Sequence, residues 1–247
     1  MLPRAPLALS LSLALLSACA TDQPLAPLAS DASANRGATA SYTYEVTITN
    51  LTTGQPLSPA IAVTHAPRVE LFRVGRSASP GIQAIAEDGN PAVAEAMLRG
   101  VRGVYDVVAT TAPVHRIGGP GSNALTFQIG ADDERQLLSL ATMLICSNDG
   151  FAGVRGVALP TDATPVTYYA AGYDAGTERN TEADGDIVPP CFGIGPVKSG
   201  TGGAGRVPEA RSVRMHPQFD GRRALSNPYH GWTGPVAKVT IQRLAAS

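Results

Sequence analysis

Short runs of alternating apolar and polar residues recur along the chain and limit its fold more than any other feature. In the clearest run, residues 42–49 (YTYEVTIT), the tyrosines, Val46 and Ile48 fall on one face and the threonines on the other. A period of two in a β-branched and aromatic segment predicts a half-buried strand. Further strands or short extended pieces are predicted at residues 61–64, 69–72, 105–110, 124–129, 138–146, 166–173 and 236–244. Many short strands joined by turns indicate an antiparallel sandwich or barrel.

Helices are predicted only as short insertions into this all-β fold. Residues 80–86 and 91–98 carry Ala, Glu, Met and Leu, and Pro91 suits the first turn of a helix. Residues 184–234 are rich in Gly, Pro and Arg and predict a long irregular loop before the last strand. Loops of this length in compact domains are functional or disordered.

The N-terminus has the features of an export signal. Arg4 precedes an apolar run at residues 7–16, which has the length of a signal-peptide core and is too short to anchor in a bilayer. Residues 16–19 (LSAC) resemble the bacterial lipobox, in which a lipidated cysteine becomes the new N-terminus. We therefore predict a signal peptide at 1–18 and a lipid anchor on Cys19. The alternative is an ordinary secretory signal in which Cys19 is incidental.

The segment after Cys19 predicts where the protein resides. Residue 20 is Ala and not Asp, which favours the outer membrane in the sorting rule for such lipoproteins, with the domain facing either the periplasm or the outside. Residues 19–40 are rich in Pro, Ala and Ser and predict a flexible tether. Residues 41–247 then form one domain. The net charge of −1 gives no electrostatic basis for binding nucleic acid.

Two cysteines remain besides Cys19. Cys146 and Cys191 form an even pair in a chain predicted to enter an oxidising compartment, which predicts a disulfide. The alternative is two buried free thiols, since cysteine is often a core residue.

Two acidic turns follow apolar strands and predict a metal site. Asp149 lies in residues 146–151 (CSNDGF), and Asp174 and Glu178 lie in residues 173–180 (YDAGTERN). Carboxylates are hard oxygen ligands that suit Ca²⁺, and a glycine in each loop permits a tight turn. If both loops lie at one end of a sandwich, the three carboxylates assemble a calcium site. The alternative is a pair of ordinary solvated turns.

Segments of the chain resemble the spondin N-terminal domain family, in the same order. They are residues 44–50 (YEVTITN), 64–65 (TH), 75–79 (GRSAS), 86–89 (AEDG), 147–151 (SNDGF) and 173–178 (YDAGTE). The resemblance covers residues 42–180 and the final strand. It implies a C2-like antiparallel β-sandwich with calcium held between loops at one end. Matched position by position, it assigns the calcium ligands to Asp149, Asp174 and Glu178, the last where animal members tend to have Asp.

Animal members of that family belong to extracellular-matrix and cell-adhesion proteins. The resemblance therefore implies a non-enzymatic module whose surface binds a protein or a glycan. One alternative is a C2-like domain that docks on membranes through its calcium loops. In that case Phe151 would insert into lipid; otherwise it caps the core.

An exported hydrolase is the alternative from another class. The four histidines lack the His-x-x-x-His spacing of a metalloprotease, and the chain has neither a Gly-x-Ser-x-Gly elbow nor a Gly-x-x-x-x-Gly-Lys phosphate loop. His65 is predicted to be a structural hydrogen-bonding residue. A catalytic site assembled from residues scattered along the sequence stays open.

The anchor prediction has a direct test. Replacing Cys19→Ala should move the protein from the membrane fraction to the soluble fraction, because the residue that carries the lipid is lost. Thr21→Ala is the matched control and should leave the protein in the membrane fraction. An intact mass of the mature wild-type protein without acyl chains would contradict the prediction.

Overall fold

The computed structural model describes residues 40–200 and 205–245. The predicted signal peptide, Cys19 and the predicted tether as far as residue 39 lie outside the described residues. None of the helices within the described ranges is long and apolar enough to cross a membrane.

The described chain consists mainly of antiparallel strands, and its short helices lie in the connections. The strands are β1 (Ser41–Asn50), β2 (Leu57–His65), β3 (Val104–Ala109), β4 (Ala124–Asp132), β5 (Leu137–Leu144), β6 (Gly150–Ala158), β7 (Val166–Asp174), β8 (Arg214–Met215) and β9 (Ala237–Arg243). The helices are α1 (Pro80–Asp88), α2 (Ala92–Leu98), α3 (Pro190–Ile194) and α4 (Asn227–His230), and a 3-10 turn spans Asp184–Asp186.

The strands follow one hydrogen-bonded path, β3-β2-β5-β6-β7-β9-β1-β4, with β8 beside β7. Strand β7 belongs to both halves of this path: residues 166–170 pair with β9, and residues 171–174 pair with β6. The two ends of the path approach each other, because the Gly130 N–H on β4 donates to Asp106 Oδ2 on β3 at 2.8 Å. The predicted all-β antiparallel class is confirmed, and the sandwich nearly closes into a barrel.

The core lies between the two halves. On β1, Tyr44, Val46 and Ile48 are at most 1% exposed, as the alternation predicts. They pack against buried side chains from the strands of both halves, among them Leu57, Ile129, Leu138, Leu140, Val239 and Ile241. Each large apolar side chain buried in this way stabilises the fold by about 1.5–3 kcal/mol.

A second apolar layer covers the outer face of β2, β5 and β6. Helices α1 and α2 pack there, and the Ser79 hydroxyl caps α1 by accepting from the Ile82 N–H at 3.2 Å. Phe151 is fully buried in this layer, with its ring 5.0 Å from that of Phe72 and 5.3 Å from that of Tyr173. Phe151 is therefore a core residue.

The strands expected from the sequence differ from those of the structure at two places. Residues 69–72 form a loop and not an extended strand, although Leu71 and Phe72 are buried. Strand β6 was missed because its glycines obscure the alternation. A Cβ at Gly153 would lie 2.8 Å from the Leu140 carbonyl oxygen and 2.9 Å from the Phe72 ring, so the close packing of β6 requires this glycine.

The region predicted as one long loop contains α3, β8 and α4 and is attached to the sandwich. Cys146, just after β5, forms a disulfide with Cys191 in α3, with the two Cα atoms 5.1 Å apart. A third apolar cluster surrounds the bond and includes Met143, Ile145, Ile187, Val188, Phe219 and Leu225. The disulfide thus joins the strand that enters the Asp149 turn to the region that follows residue 184.

Removing the disulfide should destabilise the protein measurably. The bond closes a loop with a sequence separation of 45, and we expect the Cys146→Ala/Cys191→Ala variant to lose about 2–4 kcal/mol of unfolding free energy in urea. A thiol reductant should lower the wild-type midpoint toward that of the variant and leave the variant unchanged. An unchanged wild-type midpoint after full reduction would contradict a stabilising role.

Candidate calcium site

The pairing of β6 with β7 brings the two acidic turns together. Gly150, the first residue of β6, pairs with Asp174, the last residue of β7. The Ala175 N–H donates to the Asp149 carbonyl oxygen at 3.0 Å, which extends the pairing into the turns. Asp149, Asp174 and Glu178 all lie in this region and are at most 2% exposed. They are not solvated turn residues.

One carboxylate oxygen of Asp149 accepts hydrogen bonds, and the other has no partner. Its Oδ2 accepts from the N–H groups of Thr177 at 2.7 Å and Glu178 at 3.0 Å. Its Oδ1 is buried and has no hydrogen-bond partner. Burial, followed by repulsion from Asp174, raises the pKa of Asp149 to about 6 even though the two N–H groups favour the charged form.

Asp174 has protein partners on both oxygens. Its Oδ1 accepts from the Gly176 N–H at 2.8 Å. Its Oδ2 accepts from the Asn180 side chain at 2.7 Å and from the Arg214 guanidinium on β8 at 2.8 Å. Burial raises the pKa of Asp174, and the contacts with Asn180 and Arg214 oppose that shift.

Glu178 has the least satisfied carboxylate of the three. Both of its oxygens are buried without a hydrogen-bond partner. Arg206 Nε lies 3.1 Å from Oε1, but this ion pair does not have the alignment of a hydrogen bond. Burial raises the pKa of Glu178 to about 8, repulsion from Glu87 adds to the shift, and Arg206 opposes it.

Negative charge exceeds positive charge around these residues. Six carboxylates take part in the network: Glu87, Asp88, Asp149, Asp174, Glu178 and Glu209. Three guanidinium groups, those of Arg206, Arg211 and Arg214, form ion pairs with members of the network. Three carboxylate oxygens in Asp149 and Glu178 nevertheless lack hydrogen bonds. A cation would therefore be attracted to this region.

Comparison with known proteins gives the family. A model of the spondin N-terminal domain (Spondin_N) matches residues 35–183, more than half of the 247-residue chain. The chain belongs to the spondin N-terminal domain family. The match contains all three acidic residues and ends before α3, so the region with α3, β8 and α4 lies outside it. A comparison with curated proteins finds no match.

The three acids of this spondin domain differ in how well they suit the calcium ion that the family implies. Asp149 and Glu178 fit, because they offer buried oxygens without partners. Asp174 fits less well, since Asn180 or Arg214 would first have to give up its Oδ2. The neighbouring Asn148 could offer a neutral oxygen, but that oxygen already accepts from the Glu182 N–H at 3.1 Å.

The three acidic side chains are not packed as closely as the ligands of a tight metal cluster. Within the described residues, only Cys146, Cys191 and His230 form a group of three acidic, His or Cys residues with all ligand atoms within 4.8 Å of one another. The two cysteines of that group are bonded to each other and do not offer thiolates. Asp149, Asp174 and Glu178 are neighbours, but they are not gathered as tightly as that group.

Glycine is required in the second turn. Gly176 has φ = +72°, and a Cβ there would lie 2.6 Å from the Arg211 carbonyl oxygen. The Gly176 carbonyl in turn accepts from the Arg211 N–H at 2.8 Å. The turn that presents Glu178 therefore packs directly on the segment before β8.

The arginines of the site were not predicted from the sequence. Arg206 and Arg214 reach Glu178 and Asp174 from positions 28 and 40 residues further along the chain. The only sequence signal was an abundance of arginine in residues 184–234, which names no partner. Glu87 was quoted only as part of a family motif, but it faces Glu178 and shares Arg206 with it.

Substituting the turn glycine should destabilise the domain. Gly176→Ala should cost at least about 1–2 kcal/mol of unfolding free energy, because alanine resists a positive φ and its Cβ meets backbone. Gly185→Ala is the matched control: a Cβ there has no neighbour within 4 Å, and we expect a change within about 0.5 kcal/mol. Equal urea midpoints for the two variants would show that the turn is not constrained as described.

Proposed function

We propose that this spondin domain is a non-enzymatic, calcium-stabilised binding module, anchored at the cell envelope through Cys19, that binds a protein or glycan. The observation that carries the calcium part of the proposal is the set of buried, unpartnered carboxylate oxygens of Asp149 and Glu178. Buried polar atoms without partners are uncommon in native proteins, and each calls for an explanation. A bound cation supplies one.

Calcium suits this site better than other common cations. Calcium accepts six to eight oxygen ligands in irregular geometry, whereas magnesium requires a compact octahedron and releases its water reluctantly. Asp149 and Glu178 would hold the ion, and Asp174 would contribute after a change in its contact with Asn180 or Arg214. The ion would supply positive charge to carboxylates that the arginines leave incompletely neutralised.

The surroundings of His65 support a non-enzymatic role. His65 Nε2 lies 2.8 Å from Ser139 Oγ, a distance that a nucleophile and its base would have. However, His65 is 1% exposed and Ser139 is 0% exposed, so a substrate has no access to the pair. Ser139 Oγ also accepts from the Gly156 N–H at 2.9 Å, and His65 Nδ1 bonds the Ala66 carbonyl oxygen. Both residues therefore hold strands together.

The burial of Phe151 weighs against docking on a membrane through the calcium loops. The side chain that would have to insert is fully buried against Phe72 and Tyr173. Exposing it would open the apolar layer beneath α1. A lipid on Cys19 would already hold the protein at a membrane without a second contact.

Calcium should stabilise the wild-type protein by linkage. At a free calcium concentration about a hundredfold above Kd, binding contributes about 2.7 kcal/mol, which raises Tm by about 5–10 °C for a domain of this size. Differential scanning fluorimetry after chelator treatment measures the shift. Magnesium at the same concentration should give less than half of it.

The Asp149→Asn variant distinguishes the effect of calcium binding on Tm from the stability of the fold without calcium. Asparagine keeps an oxygen for the Thr177 and Glu178 N–H groups and removes a buried charge, so the variant should be at least as stable as wild type in chelator. It should lose most of the response to calcium. Asp162→Asn, on an exposed loop, is the matched control and should respond fully. A wild-type Tm that calcium leaves unchanged would rule out a calcium-stabilised site.

A further inference from the structure

A polar pocket lies on the part of the chain that follows the family match. Its volume is about 440 Å³, within the range of sites for small ligands. It is lined by Thr53, Gln218, Asn227, Pro228, Gly231, Trp232 and Thr233, and none of these side chains carries a charge. All but Thr53 lie beyond residue 183, so this pocket is built mainly from sequence outside the matched region.

Two amide side chains of the pocket have fixed orientations. Asn227 Oδ1 accepts from the Phe219 backbone N–H at 2.9 Å, and Gln218 Oε1 accepts from the Trp232 backbone N–H at 3.4 Å. Because each oxygen is occupied by the backbone, each NH₂ group is left as a donor. Neither NH₂ group donates to another atom of the described residues. The pocket therefore presents two amide donors next to the hydroxyl groups of Thr53 and Thr233.

The indole of Trp232 is held in place from behind. A Cβ at Gly172 would lie 2.5 Å from Trp232 Cζ2, so the ring packs directly on the backbone of β7. The His216 and Phe219 rings lie 5.2 Å and 6.2 Å from it. Trp232 is only partly buried and also lines the pocket. A ligand in the pocket would thus contact an indole that loses little conformational freedom on binding.

The backbone at Gln218 is strained. Among the described residues only Glu182 and Gln218 have a positive φ without being glycine, at +56° and +72°. The Glu182 carboxylate accepts from the Asp220 and Gly221 N–H groups, and His216 Nδ1 accepts from the Gln218 N–H at 3.0 Å. Such strain costs on the order of 1–3 kcal/mol and is concentrated at functional sites. Here it places the Gln218 amide beside Trp232.

We propose that the pocket at Trp232 binds a neutral oligosaccharide. The aromatic surface suits the C–H face of a sugar ring, and the amide and hydroxyl groups suit sugar hydroxyls, which both donate and accept. The absence of charge from the lining disfavours an ionic ligand. The inference rests on the proposed binding function and narrows its ligand to a glycan.

Trp232 itself is the probe for the test, because it is the only tryptophan in the chain. The full-length protein is titrated with maltohexaose, cellohexaose and N-acetylchitohexaose, and tryptophan emission is recorded. We expect a saturable change in emission with at least one of them, with a Kd of about 1 mM or tighter. The absence of a saturable change with all three, in protein shown to be folded by its thermal transition, would overturn the proposal.

Two variants test the residues without removing the packed ring. Asn227→Asp keeps the oxygen that accepts from the Phe219 N–H but loses the NH₂ donor. Gln218→Glu likewise keeps the oxygen that accepts from the Trp232 backbone N–H and loses the NH₂ donor. Each should weaken binding about three- to tenfold, as expected for one lost hydrogen bond. Gln128→Glu, an exposed change on β4, is the control and should bind as wild type. Unchanged affinity in both pocket variants would place the binding elsewhere and overturn the assignment.

The titration is run with calcium and again with chelator, which separates this inference from the calcium site. Saturable binding that is weakened in the pocket variants supports the pocket whether or not calcium raises Tm. A calcium-dependent Tm without a saccharide response overturns the pocket alone.

Discussion

Strand β7 joins the two halves of the sandwich. Its first half pairs with β9 and its second half with β6 and β8, so the two halves of the sandwich are joined through one continuous strand. Its last residue, Asp174, lies opposite Gly150 where β6 begins. The register that completes the sandwich therefore also buries Asp149, Asp174 and Glu178 together. A slip by one residue would turn the strand's apolar face outward and separate the acids.

This arrangement sets two physical effects against each other. The apolar clusters on both sides of β6 stabilise the pairing, while the carboxylates at its end lose their hydration. Hydrogen bonds from Arg214 and Asn180 compensate Asp174 for its lost hydration. For Asp149 and Glu178 the compensation is partial, and the pKa of each is raised as a result. A cation would contribute most at these loop ends, because the buried carboxylate oxygens without hydrogen bonds in the described residues are those of Asp149 and Glu178.

The sequence predicts local features well and long-range partners poorly. The alternation on β1, the helix-favouring residues of α1 and α2 with Pro91, and the two cysteines each depend on a few neighbouring residues, and the corresponding elements are present. Strand β6 was missed because Gly153 is required by contacts with Leu140 and Phe72, which are distant in sequence. The three acids of the site lie close together because β6 pairs with β7. Arg206 and Arg214, which form ion pairs with Glu178 and Asp174, lie in a segment without periodicity. Nor does that segment reveal the pocket at Trp232, which depends on strained backbone and on packing against Gly172.

The matched spondin region and the segment that follows it form one continuous body. The Cys146–Cys191 bond connects them on one side, and β8 connects them on the other through Arg214. His216 lies between the two candidate sites, packed against Trp232 and close to Gly150. The acidic site and the pocket therefore share His216 as a supporting residue.

We propose that the buried carboxylates of Asp149 and Glu178 hold one calcium ion. Isothermal titration of chelator-treated protein with calcium chloride measures this directly. We expect one ion bound per chain and loss of that binding in Glu178→Gln, which keeps the shape of the side chain and removes its charge. No binding in the wild-type protein, or the same stoichiometric binding in Glu178→Gln, would contradict it.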